Sequence, residues 1–163
     1  MNNRAFTLIE VMVVIALIGI LSAIGTYSFS QYSRKAQMQN QTRILYGDLM
    51  EYRAKALYQK KNWAFKISAT GYGIYSSYNT AVAPVTTTVL KHAVESDNAY
   101  KIYFNSMGVA NISTDPSIFT EFDKSVCIFA ANDAVVDSVV ISPTRVQIGK
   151  KGASCAAATI NPQ

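Results

Sequence analysis

The chain has 163 residues, half of them hydrophobic, with two cysteines, a single histidine and a formal charge of +5. That length admits one domain plus a membrane element. The basic pI of about 9.2 is poor evidence for a nucleic-acid partner, because the excess is local. Residues 34–66 hold eight Lys/Arg against Asp48 and Glu51, whereas residues 67–163 hold six against seven Asp/Glu. His92 has no catalytic partner in the sequence, and no nucleophile-elbow, Walker or zinc-ligand spacing occurs, so an enzyme reading finds no constellation.

In chain order, MNNRA is short, polar and positive at Arg4, like the start of an export signal, but the apolar run follows unusually early. From Phe6 to Ser33 the only charge is Glu10, and the run from Val11 to Ser33 carries none. At a rise of ~1.5 Å per residue, that run can cross a hydrocarbon core of ~30 Å. The helix is expected to continue. Met38, Thr42, Leu45, Leu49, Tyr52 and Ala56 recur at spacings of 4, 3, 4, 3 and 4, one stripe of an amphipathic helix that covers the protein's own head. Gly47 weakens this helix by about 1 kcal/mol relative to Ala without ending it. Lys60 and Lys61 suit its C-terminus and Asn62 its left-handed cap. A helix from Phe6 to Lys61 would be about 80 Å long.

Residues 63–163 read as β-rich. Trp63 to Ser68 alternates, and Tyr72 to Tyr78 is a second strand, with residues 79–88 as loop. Tyr100 to Asn105, Val109 to Ile112, Ser125 to Ala131, Val135 to Ser142 and Arg145 to Ile148 follow as strands, with turns at Ser106–Gly108 and Thr114–Ser117. Gly149 to Gln163 is a small-residue tail. Asp133 and Asp137 sit at hairpin positions, where solvated charge is the ordinary reading. Cys127 and Cys155 pair by default if the head lies outside the cytoplasm, the alternative being two free thiols. A bond of that span contributes roughly 3–4 kcal/mol in the chain-entropy model. Tyr27, Phe29 and Tyr32 cluster on the helix, where packing and interfacial anchoring explain them better than an electron path.

Ala5-Phe6-Thr7-Leu8-Ile9-Glu10, after a short basic leader and directly before an apolar helix, resembles the type IV pilin superfamily of pilins, minor pilins and type II secretion pseudopilins. The match is strong from the leader through most of the apolar run and architectural beyond it. It implies an α+β, pilin-like fold: a leader over 1–5, a helix over 6–62 with a transmembrane part at about 6–33, and a β-rich head over 63–163. It implies cleavage between Ala5 and Phe6 by a prepilin peptidase, N-methylation of Phe6, and a filament subunit rather than an enzyme, with no cofactor and no metal. The family usually has Gly where Ala5 stands, and Ala is the next-smallest residue. It commonly has a proline in the membrane half of the helix; this chain has none between 6 and 83, and Gly25, Ser28 and Ser30 supply local weakness instead.

The resemblance gives Glu10 a role in assembly. A carboxylate in a bilayer is costly, near 2.5–3.5 kcal/mol on insertion scales, and persists when it has a partner. Leader removal creates one, the α-amine of Phe6 on a subunit already in the filament. The bland alternative is a carboxylate stabilising the helix N-terminus, worth ~0.3–1 kcal/mol. The implied partners are other pilin subunits, the peptidase, an inner-membrane assembly platform and, before assembly, the membrane, with the head periplasmic. Arg53 with Ala54 and Ala56, Phe104 to Gly108, and Arg145 are similar to features of FimT/FimU-type minor pilins and the H-type pseudopilin. Some minor pilins of that group bind DNA in transformation. Arg145, Lys150 and Lys151 would be the phosphate contacts here, against the simpler reading of a solvated basic turn. A major pilin is the remaining alternative.

Overall fold

A computed structural model describes residues 7–96, 101–111 and 123–163. The chain forms two compact units, Met1–Ala36 and Gln37–Gln163, and one helix, α1 (Leu8–Gln59), contributes to both. In the first unit, the helix residues are exposed up to Tyr32 and the large apolar side chains from Leu8 to Ile24 lie on the surface. This stretch is long and apolar enough to cross a membrane.

In the second unit, the stripe read from the sequence is the buried face of α1, joined by Gln41. Among the described residues α1 is followed by ten strands in chain order: β1 (Trp63–Ser68), β2 (Gly71–Tyr75), β3 (Thr86–Val89), β4 (Val94–Ser96), β5 (Lys101–Phe104), β6 (Ala110–Asn111), β7 (Lys124–Ile128), β8 (Ser138–Ile141), β9 (Val146–Lys150) and β10 (Asn161–Pro162). They form two five-stranded sheets, ordered β3-β2-β1-β5-β6 and β10-β9-β8-β7-β4, with every pairing antiparallel.

Strand alternation positions the core. Phe65 opposes Ile74 on β2 and Ile102 on β5, and all three join Leu49 and Tyr52 of α1 and Val139 and Ile141 of β8 in one cluster. Tyr52 meets Trp63 and Phe65 edge-on, at 4.8 and 5.7 Å between ring centroids, a geometry aromatic quadrupoles favour. The other face of the first sheet carries a smaller cluster of Ala64, Tyr75 and Tyr103 under Tyr78. Tyr72 donates its hydroxyl to Asp48 of α1. Burial first, and that bond second, push its hydroxyl above the ordinary tyrosine value.

Several expectations need correction. α1 ends at Gln59, and Lys60, not Asn62, takes the left-handed conformation at φ 53°. Because β1 begins at Trp63, the reversal has to start at the first residue of the short link. Residues 79–88 are not all loop: Thr86–Thr88 belong to β3, an exposed edge strand to which β-branched side chains are suited. The strand expected up to Tyr78 stops at Tyr75. β4 is a short strand absent from the sequence reading; its first amide donates to Ala69 O. His92 is half-buried, and its backbone is held by α1: Gln41 Nε2 donates to its carbonyl (2.7 Å) and its amide donates to Gln41 Oε1 (2.9 Å). The turn expected at Thr114–Ser117 lies outside the described residues.

Candidate functional site

The N-terminal motif places Thr7 directly before the first helical residue. The Glu10 amide donates to Thr7 Oγ1 and the Val11 amide to Thr7 O, both at 3.3 Å. Thr7 is therefore an N-cap, and Glu10 stands at the third helical position, the Thr-x-x-Glu arrangement of a capping box. The cap fixes where the helix starts and hence which residue meets the first exposed turn. Glu10 is exposed, as are Leu8, Ile9, Val11 and Met12 around it. A carboxylate ringed by apolar side chains can recruit a cation brought by another molecule, since the nearby apolar groups exclude water once the surfaces meet. Ala5 and Phe6, the expected cleavage and methylation residues, lie outside the described residues.

Further along, Thr26 Oγ1 donates back to Ser22 O at 2.8 Å and Ala23 O at 3.1 Å, a contact that tends to bend helices. No neighbouring atom obstructs a Cβ at Gly19 or Gly25. Tyr27, Phe29 and Tyr32 are all exposed.

The head's C-terminal region is held from several sides. Cys127 and Cys155 form the disulfide, with Cys127 fully buried on β7. Ser125 Oγ donates to Cys155 O at 3.0 Å, and β10 pairs with β9. The three basic residues considered as phosphate contacts do not act alike. Lys150 Nζ pairs with Asp137 at 2.8 Å and also donates to Asn132 O. Lys151 Nζ pairs with Glu95 at 2.7 Å and reaches Ile128 O and Phe129 O, leaving its side chain only 17% exposed. Arg145 is exposed with no ion-pair partner among the described residues.

Asp137 corrects the expectation of a solvated hairpin charge, since it is 2% exposed. Its carboxylate accepts from Lys150 Nζ, from the Lys151 amide at 2.6 Å and from Ser138 Oγ at 2.7 Å. Burial on its own would raise this carboxyl; the three hydrogen bonds and the Lys150 charge outweigh it and hold the group below the ordinary carboxylate range. The sequence offers no signal for this, because Lys150 and Lys151 reach Asp137 only after β8 and β9 pair.

Arg53 enters the sequence reading only through a resemblance. In the fold its guanidinium donates to Gly108 O at 2.9 Å and to Thr144 O, tying the end of α1 to two turns. Gly108 sits at φ +70°, and a Cβ there would lie 2.6 Å from Leu57, so the turn needs glycine for both reasons.

Residues 1–26 match the prokaryotic N-terminal methylation motif. Fimbrial protein EcpC of Eikenella corrodens is 33% identical over 103 residues, 61% of this chain and 67% of that protein. Prepilin peptidase-dependent protein D of Escherichia coli (strain K12) is 50% identical over 52 residues, 31% of this chain and 36% of that protein. In fold, the chain is similar to type IV minor pilin FimU of Pseudomonas aeruginosa (strain PAO1) in two crystal forms. The first has a TM-score of 0.58 at 14% identity, over 76% of this chain and 98% of that one. The second has a TM-score of 0.54 at 16% identity, over 72% and 98%.

Proposed function

The chain belongs to the type IV pilin superfamily and is a pilin or pseudopilin subunit, and from that premise we propose that it is a minor subunit assembled through Glu10. The peptidase cuts between Ala5 and Phe6 and the new amine on Phe6 is methylated. Before assembly the apolar half of α1 rests in the inner membrane with the head on the periplasmic side. On assembly, Glu10 of the incoming subunit pairs with the Phe6 amine of a subunit already in place, and the exposed apolar faces of neighbouring helices cover one another.

What supports this reading most is the junction itself: a carboxylate at the first turn of a long, exposed apolar helix, four residues along the sequence from the one whose amine the cut would free. A lone charge there is costly in a bilayer and in a helix bundle alike. A salt bridge in an apolar setting removes that cost only with close geometry, so pairing sets axial register. Filaments sheared from cells carrying Glu10→Ala or Glu10→Lys should contain little of this subunit, while its membrane level stays normal. Normal incorporation of both variants would reject the register role. The paired state of Lys150 and Lys151 weighs against the DNA-uptake alternative, for Arg145 alone gives a weak, salt-sensitive phosphate contact.

A further inference from the structure

The face of the first sheet turned away from α1 carries two cations set against each other. Lys66 of β1 pairs directly with Lys101 of β5, so both side chains stand on that face. Directly opposed residues have Cβ atoms about 4.5–5.5 Å apart, and like charges so placed destabilise a sheet. No other strand pairing among the described residues sets two cations opposite one another. Neither lysine has an ion-pair partner among the described residues, whereas Lys55, Lys150 and Lys151 each hold a carboxylate. Lys66 is exposed and Lys101 half-buried.

The same row continues on the other side of Lys66. Gly73 of β2 stands opposite it, and Thr87 of β3 stands opposite Gly73. Gly73 adds no side chain to the row, and Tyr75 folds into the space. Its Cε2 and its hydroxyl oxygen each lie 3.2 Å from where a Cβ on Gly73 would be. Tyr75 is only 7% exposed, packed with Ala64 and Tyr103. Its hydroxyl makes no hydrogen bond among the described residues, yet is not sealed from solvent. A phenol buried to that degree ordinarily has a partner. Two ammonium groups and one unused phenol donor therefore border a single patch.

We propose that this patch binds a phosphate group, as the free ion or as a monoester on a larger molecule. A phosphate monoester carries a charge of about −1.5 to −2 at neutral pH and three strong acceptor oxygens. Lys66 and Lys101 match that charge, and a lysine serves phosphate as a point charge. Tyr75 supplies a donor to a further oxygen, and Thr87, exposed at the edge of the row, adds a hydroxyl. A carboxylate, with one charge, would leave one lysine without compensation. The bound anion removes the repulsion between the lysines, so binding and head stability are linked. Assembly through Glu10 makes no use of this face, and the site stands apart from that role.

The test uses the full chain, isotope-labelled for NMR, in micelles of a phosphate-free sugar detergent at constant ionic strength. Inorganic phosphate, methyl phosphate and acetate are the probes. Inorganic phosphate should shift the amide signals of Lys66, Gly73, Tyr75 and Lys101 saturably, and acetate at the same concentration should leave them in place. Lys66→Gln, Lys101→Gln and Tyr75→Phe should each weaken phosphate binding about ten-fold, the loss of one charge-assisted hydrogen bond. Phosphate should raise the head's urea midpoint in the unmodified chain and not in Lys66→Gln. In phosphate-free buffer Lys66→Gln should have the higher midpoint of the two, because the repulsion is gone. Methyl phosphate binding as tightly as inorganic phosphate supports a monoester as the ligand; binding of inorganic phosphate alone supports the free ion. Shifts that do not saturate, equal shifts with acetate, shifts spread evenly over the other lysines, or unchanged affinity in all the variants overturn the inference. The titration of the unmodified chain needs no variant, so it decides the matter even if a variant does not fold.

Discussion

Replacing Asp137 with alanine removes an acceptor that three donors share inside the head. Lys150 Nζ at 2.8 Å, the Lys151 amide at 2.6 Å and Ser138 Oγ at 2.7 Å all point at this carboxylate. Deleting one partner of a buried ion pair costs about 3–5 kcal/mol, because the other charge is left without compensation. Lys150 is 31% exposed and keeps Asn132 O, which moves the expected loss to the low end of that range. The Lys151 amide loses its acceptor as well, at roughly 1–3 kcal/mol, so a total of about 4–6 kcal/mol is expected. Residues 37–163 form a compact unit with their own core, so urea unfolding of that unit measures the change. pH gives a second arm. The folded carboxyl lies below its ordinary 3.8, so its contribution is complete above that value and disappears as the pH falls through the folded value. The alanine variant should lack this part of the acid slope, so its deficit against the unmodified head shrinks as the pH falls through the folded value. A loss under about 1 kcal/mol at neutral pH, with an unchanged acid slope, would refute the role of Asp137 as the keystone of the tail.

Three further outcomes follow from the same geometry. Gly108→Ala puts a Cβ 2.6 Å from Leu57 at a φ of +70°; left-handed strain and overpacking together should lower the urea-unfolding free energy by about 2–4 kcal/mol. Reducing the Cys127–Cys155 bond, whose cysteines are 28 residues apart, should remove about 3–4 kcal/mol on the chain-entropy model, read as a lower urea midpoint in reductant. Leu49→Ala, at a side chain with no exposure, should lower the head's stability by about 2–5 kcal/mol, and a loss near zero would show that α1 does not form the core described.

The helix and its buried face are legible in the sequence because one period governs them: the stripe from Met38 to Ala56 follows the helical repeat, and that face is what the sheets cover. β1 is legible from the alternation of Phe65 and Ile67 around Lys66. β3 is not, because Thr86 to Thr88 are polar on both faces, as an edge strand permits, and nothing local marks their pairing with β2. β4 is too short to carry a period. The tail lysines look like free cations in the sequence because their partners come from elsewhere; Lys151 meets Glu95 across 56 residues of sequence. Arg53 likewise reaches carbonyls 55 and 91 residues away. Glu10 is legible as chemistry rather than as fold, since the single carboxylate between Phe6 and Ser33 needs a partner wherever the helix goes.

The proposal that this chain leaves the membrane as a processed filament subunit is tested most directly by one mass. That is the mass of its N-terminal peptide, recovered from sheared surface filaments of the native host. A processed subunit gives a peptide that begins at Phe6 and carries an added methyl group. A chain recovered with Met1 still attached, or one that stays in the membrane and never enters filaments, would contradict the proposal.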